Sequence, residues 1–266
     1  MPTPWLFNAW GCNPWATEPD RSAAEDLTHL GITFSTLPSD IIAEPLAPPD
    51  DQAIATAEWF AALTGDWPPV PPLIPLEAKV SEQNRSTVLD WVNASLPENE
   101  KRTYVVCFHM AAYQLSKADM TPSGPPARSE KSFLLVKEFE EADGSLRSEL
   151  QVETTVEAVT YLKESLVAGR PSLVGLRYNS WERDRGGRPN DLYNTPYVVP
   201  TNHFIVVVGM GTDRVGPYFS FYDYLSSYGE HSRFYLKPNL AIETTGAGKT
   251  LTEVRRSYRL RPEPAP

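Results

Sequence analysis

The stretch from Thr201 to Tyr224 constrains the fold more than any other part of the chain. His203 is followed by an apolar, β-branched run that ends at Gly209. This pattern is typical of a buried strand whose first residue carries an imidazole. A second strand, rich in aromatic residues, delivers Asp223. The intervening residues 211–217 hold two glycines and a proline, which predicts a hairpin loop that lays the two strands side by side. The sequence therefore predicts that His203 meets Asp223.

A histidine oriented by a carboxylate supplies two members of a nucleophilic triad, and the third member is a thiol or hydroxyl within hydrogen-bond reach. The alternative is structural: a histidine at the start of a strand is often a satisfied core residue, and Asp223 could merely accept a backbone N–H. The chain holds two cysteines, Cys12 and Cys107. Two are too few for a disulfide framework, and we expect both thiols to be reduced, although one bridge between them is possible.

Cys107 allows two interpretations. In the first it stands near the start of a helix that runs to about Ala118, with Ala111 and Ala112 letting the helix pack closely on a sheet. The positive end of the helix dipole then lowers the pKa of the thiol toward the thiolate.

In the second interpretation the helix starts at Pro97, capped by Ser95, and Cys107 is a small apolar filler. Its buried stripe consists of Tyr104, Cys107 with Phe108, Ala111 and Leu115. Cys12, with Asn8 upstream, is the rival nucleophile, and a third possibility is that neither thiol is catalytic.

The remaining pattern alternates helices with strands. We expect helices over residues 51–63, 81–94 and 154–166, the last with a capping box of Thr154 and Glu157. A hairpin over residues 131–153 should turn at Asp143 and Gly144, and further strands should follow Pro171 and cover residues 232–236 and 251–260. The long polar loop over residues 178–200 is more typical of a substrate-facing flap than of a spacer.

These residues carry a resemblance. The segment Asn202-His203-Phe204, the valine-rich run after it and Gly209-Met210-Gly211 resemble the histidine strand of papain-like cysteine peptidases, including their bacterial C39-like relatives. The strand from Gly169 to Leu176 is similar to the Gly-x-Pro strand that precedes the histidine strand in that family, and it follows a helix as theirs does. The resemblance covers residues 153–225.

The resemblance implies an α+β papain-like fold in one domain over residues 1–266. Its helical N-terminal half, residues 1–120, would pack on an antiparallel β-sheet from the C-terminal half, residues 121–266, with a cleft between the two lobes. The proline-rich segment 66–75 would be the connector between the halves.

The resemblance also implies a Cys-His-Asp triad. Cys107 would be the nucleophile, His203 the general base, and Asp223 the residue that orients the imidazole, in hydrolysis of a peptide or other amide bond through a thioester. The family's oxyanion-hole glutamine has no counterpart, since only Asn99 or Arg102 stands upstream of Cys107. Two alternatives share the scaffold: an inactive binding or inhibitory module, and an acyltransferase or transpeptidase.

Charge and composition bear on partners and cofactors. A net charge of −10 argues against nucleic acid or an anionic membrane as a partner. The partner that the resemblance implies is a peptide or amide substrate, possibly within another protein. No long apolar run and no signal-peptide pattern occur, so we expect a soluble, cytoplasmic protein, with non-classical export possible. None of the four histidines, His29, His109, His203 and His231, shows zinc-site spacing, and we expect no metal and no cofactor.

Overall fold

The computed structural model describes residues 51–75, 80–124, 131–178, 200–225, 232–245 and 248–260. The predictions for Cys12 and for the body of the loop 178–200 lie outside these residues. The helices are α1 (Asp51–Thr64), α2 (Arg85–Asn93), α3 (Cys107–Ser116) and α4 (Val152–Val167). The strands are β1 (Met120–Pro122), β2 (Ser132–Leu134), β3 (Val136–Glu140), β4 (Leu146–Leu150), β5 (Ser172–Tyr178), β6 (His203–Asp213), β7 (Gly216–Tyr222), β8 (Arg233–Leu236), β9 (Ile242–Glu243), β10 (Lys249–Arg255) and β11 (Ser257–Arg259).

The fold mixes helices with antiparallel strands, which confirms the predicted α+β class. Six strands follow one another in the order β10-β5-β6-β7-β8-β9, and β9 pairs with β10 through Glu243 and Thr250, which closes the sheet into a barrel. Strand β2 adds to the edge of β10, while β3 with β4 and β1 with β11 form separate two-stranded pairs. Closing the sheet on itself gives each of the strands β5 to β10 a neighbouring strand on both sides.

Helices cover the two faces of the β5–β6 pair, because successive strand residues point to opposite sides. Val174, Ile205 and Val207 belong to the larger core cluster, which also holds the apolar face of α4. The alternate residues Leu173, Val206 and Val208 belong instead to a cluster with three residues of α3, namely Ala111, Ala112 and Leu115. Both alanines are buried there, so the prediction that small residues let this helix pack on the sheet is confirmed.

Helix α3 begins at Cys107, which confirms the helix start of the first interpretation. The helix start of the second interpretation, at Pro97, is wrong. Pro97 has an extended ψ of 155° and precedes only a 3₁₀ turn over Glu98–Glu100. Beyond that turn, the side chain of Asn93 accepts a hydrogen bond from the Arg102 N–H at 2.8 Å and donates one to the Arg102 carbonyl at 3.0 Å. These two hydrogen bonds tie the backbone of Arg102 to α2, and the residues between the 3₁₀ turn and Cys107 are not helical.

The proline-rich connector is docked on the barrel. The N–H of Val70 donates to the carbonyl of Met210 at 2.8 Å, the Met210 N–H donates back at 3.0 Å, and the Leu73 N–H donates to Val208 at 2.8 Å. Gly209 makes this approach possible, because a Cβ there would lie 2.7 Å from the carbonyl oxygen of Val70. The pairing of β6 with β5 ends at Val207, and the connector bonds to the part of β6 that follows.

Several predicted boundaries were wrong. The strand predicted over residues 251–260 is two strands, β10 and β11, which have different partners. The hairpin after β6 turns between Asp213 and Gly216, so most of the predicted loop 211–217 is strand; the Asp213 carboxylate accepts the Val215 N–H at 2.8 Å and stabilises the tighter turn. Helix α4 begins at Val152 and not at Thr154, because the carbonyl of Gln151 already accepts hydrogen bonds from the backbone and the hydroxyl of Thr155. The predicted hairpin of β3 and β4 is confirmed.

Candidate active site

The predicted meeting of His203 and Asp223 is confirmed. Nε2 of His203 lies 2.8 Å from Oδ1 of Asp223, and the two side chains are 0% and 1% exposed. Strand β6 begins at His203, and Asp223 directly follows β7, so the β6–β7 pairing brings both side chains to one end of the barrel. The same carboxylate oxygen accepts the N–H of Leu225 at 3.0 Å, which fixes its orientation.

This bond decides which imidazole nitrogen can carry out proton transfer. Because Nε2 faces the carboxylate, a neutral His203 is favoured in the tautomer with its proton on Nε2. Any proton exchange with a substrate or a nucleophile would therefore take place at Nδ1. A carboxylate held against the far nitrogen also stabilises the imidazolium that forms when Nδ1 takes up a proton.

Cys107 is the first residue of α3, and only 4% of its surface is exposed. The preceding residue, Val106, is extended and has no side-chain oxygen to cap the helix. Cys107 shares a buried cluster with Met110, Tyr224 and the partly buried Phe204. Since Phe204 and Tyr224 directly follow His203 and Asp223, this cluster brings all three predicted catalytic residues into one region of the fold.

Cys107 is disulfide-bonded in the structure, so the expectation of reduced thiols was wrong for this residue. The sequence offers one other cysteine, Cys12, which lies outside the described residues. The expectation rested on a predicted compartment, whereas disulfide formation also depends on which thiols the fold brings together. A sulfur engaged in a disulfide cannot act as a nucleophile until it is reduced.

The ring of Tyr224 lies beside that of His203. Its ring centroid lies 5.4 Å from that of His203. Burial, with a smaller contribution from the Asp223 charge, raises the pKa of Tyr224 well above its usual value of 10. The phenol therefore stays neutral beside the carboxylate at any pH at which the protein would work.

His109 stands two residues after Cys107 but has a structural role. Its Nδ1 accepts the backbone N–H of Val106 at 3.1 Å, which satisfies a donor at the start of α3 that the valine side chain cannot serve. Burial, and secondarily the positive charge of Arg102, lowers the pKa of His109 to about 4. At neutral pH this imidazole is uncharged, with its acceptor nitrogen already occupied.

Two phenylalanines join the helix that carries Cys107 to the strand that carries His203. Phe108 and Phe204 meet edge to face with ring centroids 5.4 Å apart. The guanidinium of Arg255 on β10 lies 4.9 Å from the Phe108 ring and 4.8 Å from the Phe204 ring. The sequence pattern did not single out Arg255; the available signal was an arginine two residues after Glu253 in a strand otherwise rich in apolar and hydroxyl side chains.

A shallow pocket lies beside the segment that leads into Cys107. Its lining is mostly apolar and hydroxylated, with one arginine: Arg85, Ser86, Leu89, Thr103, Tyr104 and Val105. The guanidinium of Arg85 makes a bidentate pair with Glu82 at 2.6 Å for each bond, and this hydrogen bonding raises the pKa of Arg85. Its charge is thus already balanced within the protein.

The other predicted site features have mixed outcomes. Asn99 lies in the 3₁₀ turn, and the side chain of Asn93 holds the backbone of Arg102. Across the described ranges, no group of three or more His, Cys, Asp and Glu side chains could hold a metal ion. No described helix is long and apolar enough to cross a membrane.

No protein-family model, no curated protein and no solved structure matches this chain.

Proposed function

We propose that this protein is a cysteine-dependent hydrolase of peptide or other amide bonds, built on a papain-like fold. The observation that carries the proposal is the buried 2.8 Å bond between His203 and Asp223 at the mouth of β6, against which α3 packs with Cys107 as its first residue. A nucleophile at a helix start beside an oriented imidazole is the arrangement that amide hydrolysis by a thiol requires.

In the proposed reaction, His203 Nδ1 holds the proton of the Cys107 thiol, and the helix dipole favours the resulting thiolate. The sulfur bonds to the carbonyl carbon, and backbone N–H groups at the start of α3 would donate to the developing oxyanion. Collapse breaks the C–N bond while the imidazolium gives its proton to the leaving amine. Water then loses a proton to Nδ1 and attacks the thioester, which releases the acid and restores the thiol.

The disulfide at Cys107 favours a second candidate, a papain-like module that binds or inhibits without turnover. In that case the sulfur would serve as a structural cross-link, and the buried His203–Asp223 bond would be a satisfied core contact. The two candidates respond differently to reduction by a small dithiol. A hydrolase gains an activated thiol, whereas an inactive module gains only an ordinary buried one.

The test is iodoacetamide labelling of Cys107 from about pH 5 to pH 9 with and without dithiol, the modified residue being identified by peptide mass. Cys12→Ser supplies a protein in which Cys107 cannot form an intrachain disulfide. We expect rapid labelling of Cys107 below about pH 7 in reduced wild type and in Cys12→Ser. When His203→Ala is added to either protein, the labelling rate should fall at least about tenfold.

Slow labelling that His203→Ala leaves unchanged would overturn the hydrolase and favour the inactive module. His109→Gln is the matched control, because it removes the other histidine at the start of α3, keeps an acceptor for the Val106 N–H and leaves the His203–Asp223 bond in place; we expect its labelling to match that of the wild type. Rapid labelling together with conjugation of an added amine in place of water would instead indicate the acyltransferase.

A further inference from the structure

A buried ion pair on β10 lies near the candidate site. Nε of Arg255 donates to Oε1 of Glu253 at 2.7 Å, and both side chains are only 2% exposed. The other carboxylate oxygen, Oε2, accepts the hydroxyl of Thr201 at 3.1 Å. Gly175 on β5 leaves the space for this carboxylate, because a Cβ there would lie 2.5 Å from both Glu253 Cγ and Thr201 Cγ2.

The partners of this pair are the chain neighbours of the candidate catalytic residues. Arg255 lies over Phe108, which follows Cys107, and over Phe204, which follows His203. Glu253 binds Thr201, which stands two residues before His203. One buried pair on β10 therefore contacts a residue at the start of α3 and residues that stand before and after His203 in the sequence.

Stability alone gives little reason for burying these charges. Removing two charges from water is costly, and a well-packed apolar pair of similar size is often as stable or more stable. The charged pair can instead fix an orientation. The carboxylate holds the planar guanidinium, and each of the two phenylalanine rings packs against it. The two rings therefore keep a defined separation.

We propose that Arg255, held by Glu253, is a positioning residue that sets the distance and orientation between Cys107 and His203. This rests on the proposed function, in which those two residues exchange a proton. Their geometry matters at that step because a displacement of about 1 Å in an active site can lower a rate about a hundredfold.

The first variant is Arg255→Lys, which keeps the positive charge but loses the planar group that lies over both rings. We expect reduced Arg255→Lys protein to label at Cys107 about tenfold to a hundredfold more slowly below about pH 7, with the pH at half-maximal rate shifted upward. The matched control is Arg233→Lys, since Arg233 also pairs with a carboxylate, Asp213, and lies 4.2 Å from a tyrosine ring, on β8.

The second variant separates positioning from folding. Glu253→Met with Arg255→Met replaces both charges by apolar chains of similar length, so no charge is left buried alone. We expect a melting temperature at or above that of the wild type, together with slow labelling of Cys107. Labelling that follows stability across the variants would overturn the positioning role.

A further measurement separates the positioning role from the hydrolase proposal. Ring nitrogen resonances of His203, assigned by comparison with His203→Ala, report imidazole placement whether or not the protein turns over substrate. If His203→Ala leaves labelling unchanged, the hydrolase proposal fails, and these resonances alone decide whether Arg255 positions the imidazole. A shift in Arg255→Lys but not in Arg233→Lys supports the positioning role, and unchanged resonances overturn it.

Discussion

Single residues near the candidate site differ in how they respond to pH, and His109 gives the clearest case. Its imidazole is buried and uncharged, and the pKa is lowered to about 4 from 6.5. Between these two values the unfolded chain binds a proton that the folded protein does not bind. Stability that is fully present above pH 6.5 is therefore lost as the pH falls toward 4, and the full loss is about 3 kcal/mol.

His109→Gln tests this linkage. Glutamine at the third helical position can accept the N–H of Val106, as in a capping box, but it does not titrate. Between pH 7 and pH 5 we expect the free energy of unfolding of the wild type to fall about 2 kcal/mol more than that of the variant, measured by urea denaturation. Equal losses in the two proteins would mean that His109 is not the group that senses pH in this range.

The residues that the sequence could predict are those whose partners are close in the chain. His203 and Asp223 are joined by one hairpin, so strand periodicity and a turn pattern suffice to pair them. Arg255 contacts Phe108 and Phe204 from a strand that lies far from both in sequence, and no period or motif encodes that contact. For a related reason the sequence allowed a disulfide at Cys107 but did not predict it, because bond formation depends on tertiary proximity.

At the scale of elements, strand β6 organises the molecule. It pairs with β5 over its first half and with β7 over its second, and the proline-rich connector bonds to Val208 and Met210 where β5 has ended. Element existence was largely predictable from periodicity, since the four described helices and the main strands lie near their expected positions. The docking of the connector was not, because proline-rich composition indicates stiffness and says nothing about what the segment packs on.

Gly209→Ala tests the docking. The added methyl would meet the Val70 carbonyl at 2.7 Å, which is backbone and cannot rotate away. We expect a loss of about 1–3 kcal/mol in the free energy of unfolding and faster proteolysis within residues 66–75.

Gly211→Ala is the control on the same strand. Its methyl would meet the end of the Tyr218 side chain, at 2.6 Å from the hydroxyl, and that group can shift. We expect a smaller loss there. Losses of equal size at the two positions would contradict the view that the connector depends on Gly209.

At the scale of the whole molecule, the predicted division into residues 1–120 and 121–266 stays a prediction, but several contacts cross it. Leu63 of α1 belongs to the same core cluster as α4 and the barrel strands. Lys163 of α4 donates a hydrogen bond to the Leu63 carbonyl at 2.6 Å. The Trp67 ring lies 5.0 Å from that of Phe219 on β7.

These contacts predict that the two parts unfold together. Tryptophan fluorescence, which follows Trp67 among others, and far-UV circular dichroism should give the same urea midpoint within error. The measurement should be made in dithiol, so that the disulfide at Cys107 does not impose the coupling. Separate midpoints would mean that the contacts around α1 and the connector are too weak to join the lobes.

The closed barrel also has a consequence for how the protein is made on a ribosome. Strand β10 comes last in chain order among the six barrel strands, yet it is the partner of both β5 and β9. His203 and Asp223 leave the exit tunnel first, and at about 5–20 residues per second they wait on the order of seconds for Arg255. A nascent chain therefore holds the His203–Asp223 hairpin before it holds the strand that closes the barrel, and the proposed positioning by Arg255 can begin only once translation has passed that strand.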